Sequence, residues 1–270
     1  MKKILTMFAF VLTIAVQAEK IDSTLFVAFY NYTIQTQDDE GRNVTDSIRL
    51  ALQVGTRATY CNTVLAYNKD GRPSQEMTNS FIMHHQAVLT DMDRAEVVAV
   101  ETIYPYRYES HEPPAKVNWT LTSDTMTICE MLCYRAIGKL YGKQWTVWYT
   151  EDVPSSAGPW KLRGLPGLIV RAEDSEGFHC FELYGIKNEV RGISNIDNPN
   201  YQKLSRKKLM AFKKKVFGNA RYVKDPIFYV PNNADDVGEV NINGTTYYIG
   251  MNSHMMILKK SHVYRPLELE

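Results

Sequence analysis

Residues 145–174 read WTVWYTEDVPSSAGPWKLRGLPGLIVRAED. Trp145, Val147 and Tyr149 fall on one face of an extended segment and Trp148 on the other, because successive strand residues point to opposite sides. Pro154 ends that segment. Gly158-Pro159 and Gly164-Leu165-Pro166-Gly167 then supply two tight turns around Trp160. Glycine permits positive φ or close backbone approach, and proline fixes φ while offering no donor. Leu168-Ile169-Val170 is a short, wholly apolar run that re-enters a sheet. The stretch therefore reads as a rigid, aromatic-lined corner between two strands.

Working outward, most of the chain reads as strand. Leu25 to Ile34 is rich in aromatic and β-branched residues. Ile48 to Val54 places its largest apolar residues on one face at period two, Gly55 breaks it, and Ala58 to Leu65 resumes as its partner. Ala95 to Tyr104, Trp119 to Leu121, Cys133 to Lys139 and Trp145 to Thr150 follow as strands, with His111 to Ala115 a loop around Pro113-Pro114. Leu168 to Ala172 and Phe178 to Ile186 flank Asp174-Ser175-Glu176-Gly177 as a β-hairpin. Val240 to Ile242 and Thr245 to Tyr248 form another about Asn243-Gly244, and Met255 to Leu258 is a last strand.

Two helices are expected. Met77, Phe81, His84 and Val88 recur at helical spacing after Ser74, a candidate cap. Leu209, Phe212 and Val216 make an apolar stripe between Ser205 and Gly218, a capping pair. The fold class is mainly β, or α+β: a curved antiparallel sheet with one or two packed helices.

Gly164-Leu165-Pro166-Gly167-Leu168-Ile169 spells the hexapeptide of the GLPGLI family of bacterial exported proteins, which the chain resembles. The likeness extends to Trp148–Pro154, to Gly158-Pro159-Trp160-Lys161, and to Cys133-Tyr134-Arg135-Ala136. Leu50–Gly55 and Arg265–Leu269 are similar to the family's early strand and C-terminal ending. Cys129, Glu130 and Met131 depart from the glycines and aromatic that the family has before its cysteine. The resemblance implies export in bacteria with outer membranes, no established activity, and outer-membrane transport proteins as partners, because such genes often lie beside those of the family.

The N-terminus supports the same address. Lys2 and Lys3 precede an uncharged, mainly apolar run from Ile4 to Val16, and Val16-Gln17-Ala18 offers small residues where a signal peptidase reads. The run is shorter than the roughly 20 residues of a membrane span. Residues 1–18 are expected to be a signal peptide and 19–270 a single β-rich domain without a transmembrane segment. Removing Lys2 and Lys3 from the 31 basic residues leaves 29 against 30 acidic. That balance gives no global attraction to nucleic acid or an anionic membrane.

The search for chemistry is mostly negative. There is no Gly-x-Ser-x-Gly elbow, no phosphate-binding glycine loop and no His-Glu-x-x-His. His84 and His85 are adjacent, and His85, His111 and Cys61 lack metal-ligand spacing. Glu151 and Asp152 would face opposite ways on a strand. Neither a catalytic residue, a metal site nor a cofactor is expected. Cys61, Cys129, Cys133 and Cys180 allow three disulfide connectivities in an oxidising compartment, with free buried thiols the alternative. Cys129 and Cys133 at the start of a strand would lie about 13 Å apart, too far to bond each other.

The basic run from Lys203 to Lys215 reads first as a solvated helix face, second as a contact for anions or membrane surfaces. Asn31, Asn43, Asn118 and Asn243 open sequons that a bacterial secretory route leaves unused. The corner residues Trp148, Gly158, Pro159, Trp160, Gly164, Leu165, Pro166, Gly167, Leu168 and Ile169 are the candidate site, as scaffold first and recognition surface second. The leading expectation is a non-catalytic binding or accessory protein. A carrier holding an apolar ligand against Trp145, Trp148 and Trp160 is the second, and an exported hydrolase with an unrecognised site the third.

Overall fold

The apolar alternation from Leu25 to Ile34 extends in both directions into an 18-residue strand, β1 (Lys20–Gln37), in the computed structural model. The structure describes residues 19–37, 41–68, 86–103, 106–217, 237–242, 245–250, 256–258 and 265–269. Ala28, Tyr30, Tyr32 and Ile34 of β1 turn to one face, with Leu50 and Leu52 of β2 (Asn43–Gly55) directly opposite. After these come β3 (Ala58–Thr63), α1 (Val64–Asn68), β4 (Ala87–Asp91), β5 (Glu96–Ile103) and β6 (Tyr106–Glu112). Then follow β7 (Thr120–Ile128), β8 (Met131–Leu140), β9 (Lys143–Thr150), β10 (Leu168–Asp174) and β11 (His179–Lys187). Two short strands, β12 (Gly192–Ser194) and β13 (Gln202–Lys203), lead into α2 (Arg206–Phe217).

These strands form one sheet in the order β13-β6-β5-β4-β3-β2-β1-β11-β10-β9-β8-β7, with β12 paired to β1. All pairings are antiparallel except the two-residue β13–β6 contact. A separate three-stranded antiparallel sheet consists of β14 (Val237–Ile242), β15 (Thr245–Gly250) and β16 (Met256–Leu258). The expected mainly β class is what forms.

The sheet is strongly curved. β6 and β9 are eight strand spacings apart in that order, about 38 Å if the sheet were flat. Yet Arg206 lies 3.0 Å from Glu112 at the end of β6 and 4.3 Å from the ring centroid of Tyr141, in the turn between β8 and β9. One guanidinium spans both, so the sheet curls round its inner face. That face carries the main core, including Tyr30, Leu52, Cys61, Val88, Trp145, Val147 and Phe181. The outer face carries smaller clusters, one of them Tyr60, Leu89, Val98 and Ile193.

Several elements differ from expectation for identifiable reasons. Val88 and Leu89 lie in β4, not in a helix, and both are buried, one on each face. A strand covered on both sides loses its alternation. Ser74, Met77, Phe81, His84 and His85 lie outside the described residues, as do Asp38–Glu40, Gly218 and Asn243-Gly244. The third strand stops early because the Thr63 hydroxyl accepts the Ala66 N–H at 3.1 Å and opens α1. His111 is in β6, not a loop: Ser110 is buried there and Glu109 is buried among polar partners, so the strand has no apolar signature. The basic helix does form, with Ser205 capping it and Leu209 and Phe212 packed on Ile103 and Tyr108. Among the described residues no helix is long and apolar enough to cross a membrane.

Candidate functional site

The corner forms between register partners Thr150 of β9 and Leu168 of β10. Residues 151–167 double back over the inner face with a backbone ladder of their own. Gly164 N–H donates to Ser156 O at 2.9 Å, Ile169 N–H to Ala157 O at 3.0 Å and Leu168 N–H to Val153 O at 3.2 Å. Glycine is needed at two places for different reasons. Gly164 has φ +97°, which L side chains avoid. At Gly167 a Cβ would overlap the Thr150 carbonyl oxygen and stand 2.5 Å from its carbon. Glu151 and Asp152 lie in the turn after β9, both exposed, rather than on a strand as expected.

Trp160 sits at the centre. Its φ is 55°, a left-handed conformation costing a bulky residue on the order of 1–3 kcal/mol. Its surroundings hold it there: Nε1 donates to Gln86 Oε1 at 2.9 Å and its N–H to Cys61 Sγ at 3.4 Å. Tyr141 and Trp145 pack on its ring, with centroids 5.7 and 5.9 Å away. Pro159, Leu165, Leu168 and Ile169 are buried, Gly158 and Gly167 are covered, Trp148 is half-buried, and Gly164 and Pro166 are exposed. The inner face is thus filled by the chain's own Trp145, Trp160, Leu162 and Leu165. A cavity of about 10 Å³ beside the corner has room for one water-sized atom.

Next to Trp160 lies a buried ionic hub that joins Lys161 of the Gly-Pro-Trp-Lys segment to Glu268 of the C-terminal ending. The Lys161 side chain is 2 % exposed, and its Nζ lies 2.6 Å from both Glu112 and Glu268. Arg206 closes the square at 3.0 Å from Glu112 and 3.1 Å from Glu268. Burial would raise the Glu268 pKa, but Lys161 and Arg206 together with Lys213 hold it below the usual carboxylate range. Glu268 belongs to the C-terminal segment, whose Leu269 N–H donates to Tyr141 O at 2.9 Å. On the same segment Pro266 O lies 3.2 Å from His179 Nε2. Lys213 pairs with Glu101 at 2.6 Å. Part of the helix's basic charge therefore points inward and pins α2 to the sheet.

Glu109, His111 and Asp197 bring three ligand-type atoms within 4.8 Å of one another, the one such cluster among the described residues. Glu96 holds His111 Nδ1 at 2.9 Å, and Glu109 lies 2.7 Å from Nε2. The Lys203 ammonium already stands 3.0 Å from the same Glu109 oxygen, so a divalent cation would have to displace it. Cys61 is not part of this cluster; it faces Trp160.

All four thiols are unbonded. Burial pushes the Cys61 thiol up to about 12 against the opposing Trp160 N–H, and raises Cys133 and Cys180 as well. Such thiols are poor nucleophiles. Cys129 is exposed and, with Glu130, forms a two-residue turn at φ 48° and 64° instead of starting a strand. The extended spacing expected for Cys129 and Cys133 therefore does not apply.

That turn joins β8 to β7, the free edge of the large sheet. β7 pairs on one side only among the described residues, and nearly every residue in it is exposed. Leu121 is 56 % exposed, Met126 38 % and neighbouring Leu132 48 %. The turn closes on the pair Ile128 and Met131. In a two-residue hairpin that pair exchanges both backbone bonds, so the N–H and C=O of Thr127 point to the open side.

A family model described as "Protein of unknown function (Porph_ging)" matches residues 139–171, from the end of β8 through β9 and the corner into β10. No curated protein matches the chain. Two solved structures of PNGF-II, in different space groups, are similar at low identity. One has a TM-score of 0.47 and 16 % identity over 70 % of this chain and 32 % of that one. The other has 0.45 and 17 % over 68 % and 32 %. The chain spans about a third of the length of PNGF-II.

Proposed function

We propose that this chain is an exported protein of the bacterial envelope that works by binding, without catalysis, and takes up an extended segment of a partner polypeptide along the open edge of β7. The observation that carries this reading is the edge itself. A strand paired on one side only among the described residues and exposed on both faces, with apolar side chains beside it, offers main-chain hydrogen bonds and alternate side-chain contacts to an incoming strand. The address rests on the N-terminal charge, apolar run and small-residue site, together with the resemblance to the GLPGLI family. The same resemblance makes outer-membrane transport proteins the partner class. The carrier reading gains nothing from the inner face, which is filled with side chains.

The test uses a photo-crosslinking residue in place of Met126 in the producing cell, with and without Thr127→Pro. Proline removes an outward N–H and leaves the β7–β8 ladder in place, so folding is retained. The expected result is one discrete polypeptide adduct that disappears with the proline. An adduct indifferent to the proline, or none, refutes strand addition at this edge.

A further inference from the structure

Arg163 follows Leu162 inside the corner, and its backbone carbonyl accepts the Trp119 indole N–H at 2.9 Å, which fixes the residue in place. Its side chain has an unmet demand. Nη1 is sealed from solvent and has no hydrogen-bond partner among the described residues. Burial draws its pKa below the ordinary arginine value, with no charged neighbour acting in either direction. The contrast with Lys161, two residues earlier and shared by two carboxylates, is sharp. Arg163 as a whole is half-buried, but a guanidinium nitrogen shut off from water without a hydrogen-bond partner costs free energy.

Arg163 also lines the small cavity beside the corner, with Thr59, Thr90, Gly158 and Trp160. Thr59 and Thr90 are register partners on β3 and β4, on the same side of the sheet as Cys61 and Val88. The space is thus lined by Arg163, two threonines and Lys161, whose ammonium is already taken by Glu112 and Glu268, and no carboxylate lines it. At about 10 Å³ it has room for about one water-sized acceptor atom. A water molecule would satisfy the Nη1 hydrogen bond but bring no counter-charge to the half-buried guanidinium.

We propose that this cavity is a binding site for a single anionic acceptor atom, either a chloride ion or one oxygen of a small carboxylate, held by Arg163 and hydrogen-bonded by Thr59 and Thr90. The anion completes the corner: it neutralises the one cation of the Lys161-Leu162-Arg163 run that the fold leaves unpaired.

The first experiment is a crystal structure of the full chain grown in bromide. An anomalous peak within hydrogen-bond distance of Arg163 Nη1 is expected. In parallel, thermal unfolding is followed at constant ionic strength as gluconate, which is too large, is replaced by chloride or by formate. The melting temperature should rise by about 5 °C or more once the anion reaches a hundredfold excess over its dissociation constant. A rise with chloride assigns a halide site; a rise with formate alone assigns a carboxylate site. Arg163→Met should abolish the dependence, and Thr90→Val, which keeps the charge and the fold, should weaken binding about tenfold. A water at Nη1 with no anomalous signal, and one melting temperature in all three salts, overturns the proposal.

Discussion

Gly164 and Gly167 stand in the same tetrapeptide but are glycine for different physical reasons, and alanine at each should separate the two. At Gly164 the backbone is left-handed, φ +97°, and the nearest atom to an added Cβ is Trp119 Nε1 at 3.7 Å. Space is free, so only the conformational penalty remains, about 1–2 kcal/mol. Reduced freedom of the unfolded chain returns roughly 0.4–1 kcal/mol of it. At Gly167 the obstacle is the main chain of Thr150, the sheet partner of Leu168. No rotamer change relieves it. The Thr150 carbonyl must retreat by about 1.5 Å to reach ordinary contact. That would strain the Leu168 N–H bond to Val153 and the seating of Leu168 and Ile169, both fully buried. The cost should exceed about 3 kcal/mol. In a domain of this size each kcal/mol moves the melting temperature by about 2–4 °C. Calorimetry should therefore find Gly164→Ala lowered by no more than a few degrees and Gly167→Ala by about 10 °C or unfolded. Equal effects, or the reverse order, would refute the assignment of strain to one glycine and overlap to the other.

Two further outcomes follow from the buried charges. His179 is held down at about 4 by burial, reinforced by Lys143 and opposed by Asp174, so it is neutral in the native state. Between pH 6.5 and 4 the unfolded chain takes up a proton that the native state refuses, so stability present above pH 6.5 falls by about 3 kcal/mol on the way down. Denaturant titrations across that range should show His179→Gln with a shallower acid limb, and an unchanged limb would count against it. Lys161→Met strands Glu112 and Glu268 around a missing cation and should cost roughly 3–5 kcal/mol. Hydrogen exchange at Leu269, whose N–H is bonded to Tyr141 O, should rise with it; protection as in the parent chain would show that the ionic hub does not hold the C-terminal segment.

The corner was legible because its residues have few alternative uses. Two glycine-proline turns between apolar runs, with alternating aromatics before them, admit little besides a strand, a tight double-back and a strand. The β10–β11 hairpin and the capped α2 were legible for the same reason. β4 was not, because a strand buried on both faces carries no period-two signal, and Val88 also fitted a helical stripe. β6 was hidden by the opposite cause. Its sequence YRYESHE is polar, and Glu109 is buried only because His111, Lys203 and the Asn198 N–H meet it from β6 and from segments after β11. The turn at Cys129-Glu130 lacks the Asn-Gly signature that two successive positive φ angles ordinarily demand.

The same limit governs the site. The glycines and prolines of the corner announce themselves by type, and they serve the backbone. The residues that give the corner its electrostatics are the plain basic pair Lys161 and Arg163, whose neighbours come from β3, β4, β6 and the C-terminal segment. Lys161 stands in the Gly158-Pro159-Trp160-Lys161 segment, but nothing local says that it is buried, and either cation could have been a solvated surface charge. Only the folded sheet brings two carboxylates to one and none to the other. A hub with balanced charge needs nothing from solution, whereas a guanidinium nitrogen sealed beside two threonines does. The chemistry of this corner therefore lies with Arg163, a cation whose counter-charge the chain does not supply among its described residues.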